Sequence, residues 1–236
     1  MKCPSVVNVT RILLCAFFIV STSAYNRTIV LGNRTGEVYS IDGPATVRVS
    51  MGECQFSMTI EAGQHMRYND PDVVLYRATG SLAECKLPHL KQAEMASGYD
   101  WWFEEPKDAK ISWVGLMCDS VSNFSWSSST HEEISPQLQS IMDSNSLKCP
   151  ADFDGKKWVS LHQTDGTRFE NIDVSGASGF VIDRFSDKKF RGSRFCFIHG
   201  GNVLIGVSGN GTNVRREKNH LLNTLRSIEF EPDALP

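Results

Sequence analysis

"RFCFIHGGNVLIGVSGN", residues 194–210, holds two apolar runs joined by Gly200-Gly201. Pairing the runs about these glycines sets His199 opposite Asn202, Phe197 opposite Leu204 and Phe195 opposite Gly206. The reverse face of the same hairpin carries Cys196, Ile198, Val203, Ile205 and Val207. Both faces are apolar. A strand with one wet face alternates apolar and polar residues, so a hairpin without alternation belongs in the middle of a sheet covered on both sides.

A second hairpin, "TVRVSMGECQFSMTI" at 46–60, reads differently. Pairing about Gly52-Glu53 stacks Met51 with Cys54, Val49 with Phe56 and Val47 with Met58, leaving Arg48, Ser50, Gln55 and Ser57 on a wet face. Glycine at the first central position suits a type II′ turn. Working outward, "DVVLYRA" (72–78), "AKISWVGLMC" (109–118), "KKWVSLHQ" (156–163), "SGFVIDRF" (178–185) and "SIEFEP" (227–232) read as further strands. Residues 83–97 mix Leu, Ala, Lys and Glu and suggest a short helix, interrupted by Pro88. Over 131–147, Ile134, Leu138, Ile141 and Met142 recur at helical spacing behind a Thr130–Glu133 capping box. The spacing of Leu221, Leu222 and Leu225 predicts a helix from an Asn213 cap to about Arg226. The connections 148–156 and 164–177 are turn-rich and polar. These elements predict an α+β domain, a mostly antiparallel sheet with helices packed on it.

Residues 1–24 have the make-up of a secretory signal: Lys2 and Arg11, an apolar run from Ile12 to Val20, and small residues Thr22-Ser23-Ala24 before the expected cut. The run is too short to span a bilayer, and no other apolar stretch is long enough. Residues 25–236 are then one exported domain. Losing the leader removes two cations and no acid, so the formal charge of −3 moves two units further negative. An acidic chain lacks the basic footprint that nucleic-acid binding needs.

Five cysteines follow the leader. Cys54, Cys85, Cys118 and Cys149 are available for disulfides, and Cys196 is the candidate for the odd thiol or a buried structural cysteine. Their spacing contains no CxxC, which argues against a zinc knuckle or a thioredoxin-type centre.

The motifs of common chemistry are missing. "GVSGN" and "GASGF" do not have the G-x-S-x-G spacing of a nucleophile elbow, so Ser178 and Ser208 would each need a distant His and Asp, and Cys196 and His199 point to opposite faces of one strand. "HEE" at 131–133 is not HExxH, and the six histidines are scattered. Asp152 and Asp154 lack the remaining ligands of a calcium loop. No catalytic residue, metal site or cofactor is therefore expected. The one dense functional patch is "YDWWFEEP" at 99–106. Either two of its rings are core and the rest line a turn, or Trp101, Trp102, Phe103, Glu104 and Glu105 form a partner-binding site, since aromatic anchors dominate interface hot spots.

The closing order of the chain, "CFIHGGNVLIGV…LLNTLRSIEF", runs strand, hairpin strand, helix, final strand. It resembles the end of the PsbP/DcrB-like fold, an α/β/α sandwich found in exported and periplasmic proteins. It is also similar to periplasmic immunity proteins of bacterial type VI secretion systems. The resemblance covers the C-terminal quarter of the chain. It implies a non-enzymatic binding protein that neutralises a cognate secreted effector by occluding its active site. Two other readings stand beside it. Sequons at Asn26, Asn33, Asn123 and Asn210 fit a eukaryotic secreted glycoprotein that acts as a recognition module. An exported hydrolase would need a serine or cysteine brought to His162 or His199.

Overall fold

The computed structural model describes residues 27–32, 38–69, 71–77, 87–95, 98–105, 111–127, 135–154, 156–161, 165–209 and 214–231. The first strands are β1 (Thr28–Leu31), β2 (Val38–Asp42), β3 (Ala45–Met51), β4 (Cys54–Ile60), β5 (Gln64–Asn69) and β6 (Asp72–Arg77). Next come β7 (His89–Met95), β8 (Gly98–Glu104), β9 (Ser112–Ser120), two 3-10 turns at Val121–Asn123 and Ser125–Ser127, and α1 (Pro136–Lys148). The chain continues through β10 (Ala151–Phe153), β11 (Trp158–Ser160), β12 (Thr167–Val174), β13 (Ala177–Ser186), β14 (Lys189–His199) and β15 (Asn202–Ser208). It closes with α2 (Val214–Arg226) and β16 (Glu229–Phe230).

The hairpin at 194–210 is β14–β15, and its register is the one its glycines dictate, with Phe197 opposite Leu204 and His199 opposite Asn202. It lies inside an eight-stranded antiparallel sheet of order β12-β13-β14-β15-β9-β6-β5-β2. The sheet is covered on both faces, which is why neither face of the hairpin is polar. One face packs against a four-stranded sheet, β1-β3-β4-β16, and against α2. Val47, Val49, Phe56 and Met58 of β3–β4 meet Phe195, Phe197 and Leu204 there, together with Leu221 and Leu225 of α2. Phe230 lies 6.0 Å from Phe56 and 6.5 Å from Phe197, ring centre to ring centre, and so bridges the two sheets.

The β3–β4 pairing is likewise as its sequence predicts, Met51 with Cys54 and Val47 with Met58. Gly52 has φ +57° while Glu53 does not enter the left-handed region, the combination of a type II′ turn.

The second face is covered in pieces. α1, the 3-10 turns, the β10–β11 pair and the β7–β8 hairpin each shield part of it. Its core is a chain of rings: Phe124 stacks on Trp126 at 4.3 Å, Trp126 meets Trp158 edge-on at 5.5 Å, and Trp158 reaches Phe180 at 5.6 Å. Asn145 of α1, itself buried, donates to the Asn123 carbonyl at 2.9 Å and holds the helix to the first 3-10 turn.

The α+β expectation does not hold. The protein is mostly β, with two α-helices among the described residues, and the layer over the first face is chiefly a second sheet. That arrangement also excludes the α/β/α sandwich of PsbP/DcrB type. Strands β1, β2, β5, β8 and β10 have no counterpart among the strands expected from the sequence, and two further segments show why that expectation fails. Residues 89–95 are strand rather than helix, because β7 pairs along its whole length with β8 and tertiary pairing overrides helix propensity. Residues 167–174, read as a polar connection, form the edge strand β12, whose charges face solvent. The α1 helix starts at Pro136 behind a Ser135 cap, whose hydroxyl accepts from Leu138 N–H at 3.2 Å. Thr130, Glu133 and Asn213, expected as caps, and the leader 1–24 lie outside the described residues. Among the described residues no helix is long and apolar enough to cross a membrane.

Candidate partner-binding site

The β7–β8 hairpin forms a two-stranded arm laid over the second face. Period-two alternation along β8 separates its aromatic residues. Trp101 points inward, 7% exposed, with Phe103 edge-on to it at 6.5 Å. Phe103 covers Gly115 of β9 so closely that a Cβ there would lie 2.6 Å from the ring. Trp102 faces the other way and is 46% exposed. Glu104 shares that outer side, where its carboxylate sits 3.2 Å from Lys91 Nζ and 3.7 Å from His89 Nε2 across the arm.

At the edge of the arm the covering layer stops and a cavity of about 290 Å³ opens. Trp101, Trp102, Phe103 and Glu105 line it from the arm, with Trp113 of β9 alongside. Apart from Ser208 of β15, its remaining polar wall is cationic: Lys148 of α1, Arg184 of β13, and Arg191 and Arg194 of β14. Cross-strand register explains the convergence. Ile182, Arg194, Val207 and Gly115 lie in one row across four strands, and Arg184 follows Ile182 on the same face. Lys148 Nζ lies 4.6 Å from the centre of the Trp101 ring, a cation–π contact. The Arg194 guanidinium donates to the Leu147 carbonyl at the C-terminal turn of α1, where the helix dipole favours a cation. Burial depresses the Arg194 pKa, and the neighbouring Arg184 charge depresses it further. Neither Arg184 nor Arg191 forms an ion pair among the described residues. Glu105 is the one carboxylate in the lining.

Of the five residues expected to act together, Trp101, Trp102, Phe103 and Glu105 line the cavity, Trp101 as a buried core ring, and Glu104 is engaged on the outer side of the arm. The cations were not foreseen, although one was signalled. Arg194 shares strand parity with Cys196 and Ile198, so the alternation puts a charge on a face otherwise buried. The chain as a whole is acidic, yet this site is cationic, since net charge does not fix a local potential.

The cysteines form Cys54–Cys118 and Cys149–Cys196, with Cα separations of 5.8 and 6.0 Å. Cys196 is thus half of a disulfide and not the odd thiol; Cys85 lies outside the described residues. The first bond ties the four-stranded sheet to β9, and the second ties the end of α1 to β14. Two disulfides fit an exported protein in an oxidising compartment.

The hydrolase candidates are otherwise occupied. Ser178 Oγ accepts from Trp158 Nε1 at 3.3 Å, Ser208 Oγ accepts from Ser193 N–H at 2.8 Å, and His199 Nδ1 donates to the Gly176 carbonyl at 2.6 Å. His162 lies outside the described residues. Asp154 accepts from the amides of Lys156 and Lys157, both at 2.9 Å, as a turn residue does, and these bonds lower its pKa. Among the described residues no three His, Cys, Asp or Glu side chains gather as metal ligands. Of the sequons, Asn123 has its amide committed to Asp119 at 2.8 Å, while Asn26, Asn33 and Asn210 lie outside the described residues. No family model matches the chain, and neither does any curated protein or solved structure.

Proposed function

We propose that this chain is an exported, non-enzymatic binding protein that docks a protein partner through the β7–β8 arm. The partner in this reading is a secreted effector, and the docked protein occludes its active site as a periplasmic immunity protein does. The observation that carries the proposal is Trp102, a tryptophan nearly half exposed on an arm whose other face is fixed by Trp101 and Phe103. A large ring held on a rigid support loses little entropy on binding and makes an effective anchor. The leader-like N-terminus and the two disulfides support export.

The test is capture from the native host with tagged protein, comparing the natural sequence with Trp102→Ala. The expected result is one stoichiometric partner for the natural chain, lost in the variant at unchanged Tm. Equal capture by both proteins would remove the arm from the interface, and an effector that stays active when bound would remove occlusion.

A further inference from the structure

The cavity beneath the arm has a composition of its own. Three arginines and a lysine face one carboxylate across a space about 290 Å³ in volume, and tryptophan and phenylalanine rings, with the end of β15, complete its lining. Arg184 and Arg191 are exposed and form no ion pair among the described residues, so their guanidinium groups are not consumed in holding the fold. Like charges gathered at one place repel each other, and an anion entering there relieves that repulsion. The planar guanidinium matches a carboxylate through two parallel hydrogen bonds, and indole faces accept flat apolar groups beside it.

The strand that borders the cavity adds a second requirement. Among the described residues β8 has one strand neighbour, β7. Main-chain donors and acceptors in extended register beside a charged, ring-lined cavity suit an extended chain better than a free ion. Resting on the binding role proposed above, we infer that the cavity receives an acidic, aromatic-containing segment of the partner, its carboxylate held by Arg184, Arg191 and Arg194 and its apolar residue lodged against Trp102 and Trp113. The acid that must be tolerated at the rim, Glu105, opposes the same ligand and tunes its affinity.

The experiment titrates the full-length protein with a short blocked peptide alternating Asp and Phe, followed by tryptophan fluorescence and calorimetry. Saturable binding is expected, and it should weaken with added salt. Affinity should fall by roughly tenfold or more when Asn replaces Asp in the peptide, and by as much in the Arg184→Gln, Arg191→Gln double variant. Glu105→Gln should bind more tightly, a gain that loss of folding cannot imitate. Inorganic phosphate at matched concentration should not compete.

No saturable binding, equal binding of the Asn peptide, or an undiminished double variant overturns the inference. Phosphate competing as well as the peptide also overturns it, in favour of a free anion. The two proposals fail separately. A captured partner that the double variant still holds leaves the binding role standing and removes this ligand, whereas peptide binding with no captured partner does the reverse.

Discussion

The two faces of the eight-stranded sheet are closed by different means. The first is sealed by a second sheet and α2 over a continuous aliphatic and phenylalanine core. The second is closed by short pieces held through rings, amide networks and a buried ion pair, and it leaves a cationic cavity where the pieces end. Each face has its own disulfide to the central sheet. The contrast separates labour within one sheet: the sealed face supplies stability, and the patched face supplies a surface whose parts can carry polar chemistry.

The disulfides give the largest test of that division. Loop-closure entropy for separations of 64 and 47 residues is about 4 kcal/mol in each case, so the entropic term treats the two faces alike. Removing Cys54–Cys118 by serine substitution should cost that amount of global stability in chemical denaturation. Removing Cys149–Cys196 should cost less globally, because α1 can detach from the sheet on its own, and hydrogen exchange of α1 amides should rise before the core opens. Equal losses with no selective exchange in α1 would show that the two faces unfold as one unit.

Two glycines sharpen the same contrast. A Cβ on Gly206 would lie 1.9 Å from the Phe195 ring, in the sealed core, and one on Gly115 would lie 2.6 Å from the Phe103 ring, under the arm. Gly206→Ala should cost about 3 kcal/mol by overpacking. Gly115→Ala should cost about 1 kcal/mol, since the arm can lift, and it should weaken partner capture while Gly206→Ala weakens only stability. The two tryptophans follow. Trp101→Ala should cost about 3 kcal/mol, as a buried ring does, whereas Trp102→Ala should stay within about 0.5 kcal/mol and still lose the partner. A double substitution cannot report on binding alone, because half of it strikes the core.

Much of the sealed face was legible in the chain. Gly52 and the Gly200-Gly201 pair fix turns, and turns fix register, so every partner in those two hairpins follows from spacing. The patched face was legible only in fragments. β7 is written in helix formers and β12 in charges, and each is strand because a neighbour pairs with it. The aromatic patch at 99–106 stood out, but which ring faces in depends on strand parity, and the segment had been given no strand. The cations of the cavity come from positions 148, 184, 191 and 194 on three elements, and only the sheet register unites them. Pairing between distant segments is the information that composition and local periodicity do not carry.

The smallest expected effect concerns how the arm is rooted. Arg67 of β5 donates to Asp72 Oδ2 at 3.0 Å and to the Pro88 carbonyl at 3.1 Å, immediately before β7 begins. Both side chains are almost wholly buried. Burial raises the Asp72 pKa above its ordinary 3.8, and Arg67, Asn69 and His89 offset only part of the rise. A carboxyl whose pKa is higher folded than unfolded binds its proton more tightly in the fold. Its contribution therefore favours the folded state at low pH and is lost as the pH climbs from the unfolded value through the raised one. Most carboxylates of this acidic chain should act in the opposite sense, so the Asp72 component appears as a difference between proteins. Asp72→Asn keeps the shape and polarity of the neutral carboxyl at every pH, so it should lie close to the natural chain at low pH, where Asp72 holds its proton. As Asp72 ionises, the natural chain should lose stability relative to the variant, measured as Tm from acid to neutral. A natural chain that instead gains on the variant with rising pH would mean that the Arg67 charge outweighs burial, and that the root of the arm is held by an ion pair.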